Sequence, residues 1–91
     1  MITEKEFKEE VIKWAKKIGV EPKEIQIREM KNKWGSCSSK GRLTFAKDLL
    51  NKPPEKRAEV IVHELLHLRY PVHNKMFRVL HKLYLSQKET I

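Results

Sequence analysis

The sequence predicts a small α+β fold with an N-terminal helix, a short antiparallel β-hairpin, a histidine-bearing helix and a C-terminal helix. Two observations support this class. Apolar residues recur at helical spacing near both ends of the chain, and two short segments between them alternate apolar with polar residues. The chain has 91 residues, enough for one modest core. We therefore predict a single domain over residues 1–91.

The first helix has a clear start and a clear end. Thr3 and Glu6 form a capping-box pattern at its beginning. Gly19 follows two lysines and is a typical helix terminator. The apolar stripe between these signals consists of Phe7, Val11, Trp14 and Ile18. A helix with one such stripe must pack on another element.

Two short strands are predicted next, over residues 25–28 and 42–45, because both segments alternate apolar with polar residues. We expect them to pair as the antiparallel hairpin. The interval 31–41 is rich in glycine and serine around Trp34, which is typical of a loop. A two-stranded sheet is only marginally stable, so helices must pack on it.

Two further helices complete the predicted fold, while residues 48–51 fit either a helical turn or an extended connector. Pro53 and Pro54 mark the start of the second helix. It should end near Tyr70, since Pro71 disfavours helical geometry in the preceding residue. Asn74 is a favourable cap for the last helix. The inward residues are Ala58, Ile61, Val62, Leu65 and Leu66 in the second helix, and Phe77, Leu80 and Tyr84 in the last.

The second helix carries the motif H-E-x-x-H at His63, Glu64 and His67. Residues four apart are neighbours on a helix, so the two histidines can direct imidazole nitrogens at one zinc ion. Glu64 lies on nearly the same face and is placed to act on a water at the metal rather than to bind the metal. The motif therefore indicates a zinc hydrolase with peptidase chemistry. Two partly buried core histidines are the alternative interpretation of the motif alone.

A catalytic zinc site usually has three protein ligands, so a third must follow His67. The chain offers His73, His81 and Glu89. We predict His73, because Pro71 breaks the helix and lets the chain turn back, whereas on a continued helix His73 would point away. The resulting spacing equals that of metzincin proteases. His81 is interpreted as a structural or surface histidine.

The positive charge of the chain is unevenly distributed. The formal net charge is +8, and residues 31–57 carry eight basic against two acidic side chains. Such a segment can attract nucleic acid or acidic peptides, although a solvated lysine-rich surface is the simpler interpretation.

The one cysteine, Cys37, excludes an internal disulfide. Neither a signal peptide nor a membrane span is evident, so we expect a cytoplasmic protein.

Several segments of the chain form a specific set of motifs. They are WAKKIG at 14–19, MKNKWGSCSSKG at 30–41, PPE at 53–55 and VHELLHL at 62–68, followed by His73 and Phe77. Together they resemble the YgjP-like metallopeptidases. The resemblance implies a minimal zincin-like fold related to the WLM and SprT zinc proteases, with an active-site helix and a peptide or protein substrate. It also implies His63, His67 and His73 as zinc ligands and Glu64 as catalytic base. Members of the family have further β-structure before the matched part.

The sequence thus predicts a zinc-dependent metallopeptidase in which Glu64 is the general base for a zinc-activated water. Two alternatives remain. One is a nucleic-acid-associated module, in which zinc is mainly structural and the basic segment 31–57 binds the nucleic acid. The other is a non-catalytic zincin-like domain that binds a partner protein. The sequence indicates no particular oligomeric state.

Overall fold

The computed structural model describes residues 1–87, and within them the predicted α+β class is confirmed. The elements are α1 (Glu4–Ile18), β1 (Glu24–Arg28), β2 (Gly35–Cys37), β3 (Arg42–Ala46), a 3-10 helix (Lys47–Asn51), α2 (Pro54–His67) and α3 (Lys75–Ser86). The connector that the sequence left undecided is therefore helical. None of the helices in the described part of the chain is long and apolar enough to cross a membrane.

Helix α1 begins and ends where its sequence predicts. Thr3 Oγ1 accepts a hydrogen bond from Glu6 N at 3.0 Å, and Thr3 N donates to Glu6 Oε1 at 2.8 Å. Gly19 has φ 85°, a left-handed conformation that favours glycine. The most buried side chains are Phe7, Val11, Ala15 and Ile18, while Trp14 is half-buried against the core.

The sheet has a different topology from the predicted hairpin. The two predicted strands exist as β1 and β3, but they run parallel, from Glu24 opposite Arg42 to Arg28 opposite Ala46. The antiparallel hairpin is instead formed by β2 and β3, with Gly35 opposite Phe45. The strand order is β1-β3-β2, so β3 is central. The predicted antiparallel pairing of residues 25–28 with 42–45 is therefore wrong.

The physical reason lies in β2. Its three residues, Gly-Ser-Cys, have low strand propensity and no apolar alternation, so the sequence pattern suggests a loop. Pairing with β3 supplies its hydrogen bonds. The reversal between the two strands uses Gly41 at φ 92°, whose N–H donates to Ser38 O at 3.1 Å. Because β2 comes between β1 and β3 in the sequence and runs antiparallel to β3, the chain reverses twice and β1 runs parallel to β3.

One face of the sheet packs against the helices. Phe45 of β3 meets Phe7 of α1 edge to face, with ring centroids 5.1 Å apart. Leu65 of α2 and Phe77 of α3 complete the same buried cluster. This core holds α2 against β2, which positions the histidine-bearing face of α2 beside the edge of the sheet.

The ends of α2 and α3 determine how the chain passes the histidines. Helix α2 ends at His67, close to the predicted end near Tyr70, and Leu68 N donates to the carbonyl three residues back. Helix α3 is capped by Asn74, whose Oδ1 accepts a hydrogen bond from Phe77 N at 2.9 Å. The predicted cap is confirmed. The segment between these helices carries His73.

Candidate metal centre

Three histidine rings converge at the C-terminal end of α2. His67 Nε2 lies 2.8 Å from His73 Nε2, and His73 Nε2 lies 3.0 Å from His63 Nε2. Within residues 1–87, these three side chains are the group of possible ligands close enough to hold one metal ion. The structure therefore brings together the three histidines that the sequence analysis selected.

Two of the three rings come from a helix, and the third comes from an irregular segment. His63 and His67 are one helical turn apart on α2, which places their ring centroids 4.9 Å apart. His73 comes from the irregular segment between α2 and α3. The backbone of Tyr70 and Pro71 lies near the His67 ring and favours its protonated form, which opposes the effect of burial on the His67 pKa.

Phe77 lies against all three imidazoles. Its ring centroid is 5.2 Å from that of His63 and 4.8 Å from those of His67 and His73. The side chain is almost fully buried. The sequence identified Phe77 only as part of an apolar stripe, and its contact with the site depends on how α3 packs. It supplies an apolar wall that limits the orientations of the three rings.

Burial favours the neutral form of two of the three imidazoles, those of His63 and His67. Burial lowers the pKa of His63 to about 4, assisted by the neighbouring histidines His67, His73 and His81. Burial also lowers the pKa of His67, and His73 adds to this effect. A neutral imidazole is the form that binds a metal ion, since the metal and a proton compete for the same nitrogen. Three imidazole donors match the ligand chemistry of zinc.

Glu64 follows His63 on α2, and its side chain approaches Gly35 of β2. It is only 7% exposed, and burial raises its pKa to about 7, although Lys33 has the opposite effect. A Cβ atom added to Gly35 would lie 3.1 Å from Glu64 Cγ. The absence of a side chain at Gly35 is therefore what lets this carboxyl approach the strand so closely. Sequence reasoning missed this role.

A cavity of about 300 Å³ opens beside Glu64 and is also lined by Trp34, Gly35, His63 and His81. His81 Nε2 lies 2.9 Å from the carbonyl oxygen of Glu59, and its ring is outside the group of three. Glu89, the remaining alternative third ligand, lies outside the described residues.

Part of the basic segment borders this cavity. Lys52 Nζ and Lys56 Nζ lie 5.4 and 5.2 Å from the ring centroid of Trp34. Lys33 is also a lining residue. Cys37 lies farther along β2, and burial raises the pKa of its thiol, with Glu64 adding to the effect. Like His81, it is not in the histidine group.

Comparisons with known proteins agree on one assignment. The family described as the YgjP-like metallopeptidase domain matches residues 2–90. Among solved structures, the chain is similar to the crystal structure of the metallopeptidase zymogen of Pyrococcus abyssi abylysin. The TM-score is 0.70 at 28% sequence identity, over 81% of this chain and 75% of that chain. No curated protein matches.

Proposed function

The chain belongs to the YgjP-like metallopeptidase family, and we propose that it is a zinc-dependent peptidase. The observation that carries this proposal is the convergence of three imidazole nitrogens next to a buried carboxyl, with His73 Nε2 within hydrogen-bond distance of both His63 Nε2 and His67 Nε2. Family membership implies a metal ion. Zinc is our proposal, because it is the metal typically bound by three histidines in hydrolases.

We assign His63, His67 and His73 as the metal ligands. Each can offer its Nε2 atom to one ion, and the three rings share the apolar contact with Phe77. When bound, zinc supplies Lewis-acid chemistry that acidifies a water molecule and polarises a carbonyl group.

Glu64 is our proposed general base. Its carboxyl is buried beside the ligands, and its pKa of about 7 suits a group that must accept and release a proton near neutral pH. Glu64 accepts a proton from the water that attacks the scissile carbonyl carbon. It then donates that proton to the amine nitrogen as the C–N bond breaks. Both transfers require a side chain held between β2 and the histidine group.

The free edge of β2 is a suitable place for a peptide. Ala46 N donates to Trp34 O and Ser38 N donates to Arg42 O, so residues 34 and 38 pair with β3. Successive residues of a strand direct their backbone N–H and C=O groups to opposite sides. The N–H and C=O groups of Gly35 and Cys37 therefore face the free edge. An extended peptide can add to this edge by main-chain hydrogen bonds. Its backbone would then pass beside Glu64.

Two variants separate metal binding from catalysis. We expect Glu64→Gln to retain a near-stoichiometric metal ion while losing at least about 100-fold in peptide hydrolysis. We expect His67→Ala to lose the metal and the hydrolysis together. His81→Gln is the matched control for metal content, since His81 lies outside the ligand group. Metal analysis of untagged protein and cleavage of a peptide library would measure both properties.

The same experiment tests the two alternative functions. A wild type without bound metal under zinc-replete conditions would contradict the site. A wild type that holds zinc but cleaves nothing would favour the partner-binding domain. Nucleic-acid affinity that falls steeply with salt and survives Glu64→Gln would favour the nucleic-acid module, whose basic residues lie in segment 31–57.

A further inference from the structure

The edge of the sheet opposite β2 is formed by β1. In the order β1-β3-β2, β1 has a neighbouring strand on one side only among residues 1–87. Its free side presents backbone N–H and C=O groups that can pair with a further strand. Natural sheets often protect such an edge with proline, a bulge or a charge at the centre of the strand. The sequence of β1, E-I-Q-I-R, has no such device at its centre.

Strand β1 is complementary to itself in the antiparallel direction. A two-fold axis through Gln26 places Glu24 opposite Arg28 of a second copy, and Ile25 opposite Ile27 of that copy. Oppositely charged and β-branched residues stabilise a sheet when they are directly opposite. This register pairs all five residues of the strand. If the two-fold axis passed through Glu24 or Arg28 instead, some residues of β1 would have no partner residue in the second copy.

An apolar groove runs beside the same edge. It has a volume of about 560 Å³ and is lined in part by Ile12, Val20, Pro22 and Ile25. Ile12 of α1 is 46% exposed, which is high for so apolar a side chain. Opposite residues of an antiparallel pair point to the same face of the sheet. Ile27 of a second copy would therefore lie beside Ile25 and cover part of this groove.

Gln26 provides an independent observation at the proposed axis. Its Oε1 atom is buried and has no hydrogen-bond partner among the described residues, while its Nε2 atom donates to Glu24 Oε2 at 2.9 Å. A buried acceptor without a donor is unfavourable. In the symmetric pair, the two Gln26 side chains are direct neighbours. Because Oε1 is covered by the chain's own atoms, the amide must rotate before the second N–H of each side chain can donate to the Oε1 atom of the other.

We propose that two copies of the chain associate through β1, with an antiparallel β1–β1 pair at the centre of a continuous six-stranded sheet. The histidine group and Glu64 lie beside β2 at the other edge, so both sites stay open in the dimer. Each charge pair occurs twice, since the interface is two-fold symmetric. The proposal is independent of the proposed peptidase activity.

Charge reversal tests the register. Sedimentation or light scattering should give twice the 10.9 kDa mass of one chain for the wild type. Arg28→Glu places like charges opposite each other twice, so its dimer should dissociate at least about tenfold more readily. Glu24→Arg should also weaken self-association, and it additionally removes the ion pair of Glu24 with Arg42 inside the chain. A mixture of the two variants restores every opposite-charge pair and should form a heterodimer.

The control is Lys82→Glu, an equal charge change at an exposed position of α3, which should leave the dimer unchanged. A wild type that stays monomeric up to about 1 mM would overturn the proposal, since weaker association is not specific binding. An Arg28→Glu dimer as stable as the wild type, or a variant mixture that does not associate, would also overturn it.

Cross-linking gives a second measurement that does not depend on the charges. In a Cys37→Ser background, Gln26→Cys places two thiols directly across the axis. Opposite Cα atoms in an antiparallel pair are about 4.5–5.5 Å apart, which suits a disulfide. Oxidation by diamide should therefore give a covalent dimer. Thr44→Cys is the control on the central strand, where Thr44 is opposite Gln26. Equal cross-linking of both variants, or none with Gln26→Cys, would contradict the interface.

Discussion

Gly35 determines how closely β2 approaches the proposed general base. A Cβ atom at this position would lie 3.1 Å from Glu64 Cγ and 3.2 Å from the backbone oxygen of Thr44. The Thr44 oxygen belongs to the central strand and cannot move without disturbing the sheet. An added Cβ atom therefore requires Glu64 or the β2 backbone to shift by a few tenths of an ångström.

We expect Gly35→Ala to lower kcat by about 10- to 100-fold with little change in metal content, because small displacements of a catalytic group are costly. Gly41→Ala is the matched control. It strains a turn at φ 92° and should cost roughly 1 kcal/mol of stability while leaving kcat close to that of the wild type. Steady-state kinetics with metal analysis would check this, and full activity of Gly35→Ala would contradict it.

The buried Glu64 also makes a pH-dependent contribution to stability. Burial raises its pKa from 4.5 to about 7. The folded state therefore binds this proton more tightly than the unfolded state, so stability falls as pH rises from about 4.5 to 7. Above pH 7, where Glu64 is ionised, the folded state bears the full free-energy cost of the buried charge. A shift of this size corresponds to roughly 3 kcal/mol.

Glu64→Gln removes that cost because the amide carries no charge. We expect the metal-free variant to be more stable than metal-free wild type by roughly 1–3 kcal/mol at pH 8, with the difference disappearing near pH 4.5. Urea unfolding in the presence of a chelator at both pH values is the measurement. A difference that does not change with pH would contradict the assigned pKa.

At the scale of elements, Arg57 joins α1 to α2. Its Nε and Nη2 atoms donate to the two carboxylate oxygens of Glu10 at 2.9 and 2.8 Å, and Nη1 donates to Lys52 O at 2.7 Å. The side chain is 8% exposed, and its pKa is raised by the hydrogen bonds to Glu10. One guanidinium therefore fixes two helices and the end of the 3-10 helix.

Arg57→Lys should destabilise the fold by about 1–3 kcal/mol, because an ammonium group cannot make these three bonds in the same geometry. Glu10→Gln should cost less, since an amide keeps one acceptor oxygen and Glu10 is partly exposed. Chemical denaturation would compare the three proteins. Equal stability of Arg57→Lys and the wild type would show that the three hydrogen bonds of Arg57 do not stabilise the fold.

At the scale of the whole molecule, a metal ion at the histidine group would connect α2 to the segment before α3. Ligand binding to the folded state alone contributes about 4 kcal/mol when the ligand is at 1,000 times its Kd. For a chain of this size, that corresponds to roughly 15–30 °C in Tm. Chelation should therefore lower the Tm by at least about 10 °C.

Variants show whether this effect arises at the proposed site. His73→Ala should abolish the difference in Tm between zinc-loaded and chelated protein, whereas His81→Gln should keep it. Circular dichroism melting curves would provide the comparison. Equal Tm values for wild type with zinc and with chelator would contradict a metal ion that connects these elements.

The sequence by itself determined the features that depend on neighbouring residues. The cap of α1 at Thr3, its end at Gly19 and the cap of α3 at Asn74 all follow from local hydrogen bonding, and the structure confirms them. The two histidines of α2 share a face because of helical geometry. Pro71 ends the helix, which predicts that His73 can turn back toward the other two histidines, and the structure brings its ring to them.

Only the tertiary structure decided the features that depend on residues distant in the chain. The strand β2 exists because β3 pairs with it, and the parallel direction of β1 follows from that pairing. Gly35 meets Glu64, and Phe77 meets the three imidazoles, through the packing of α2 and α3 on the sheet. Long-range packing of this kind has no periodic signal in the sequence, because the contacting residues lie on separate elements.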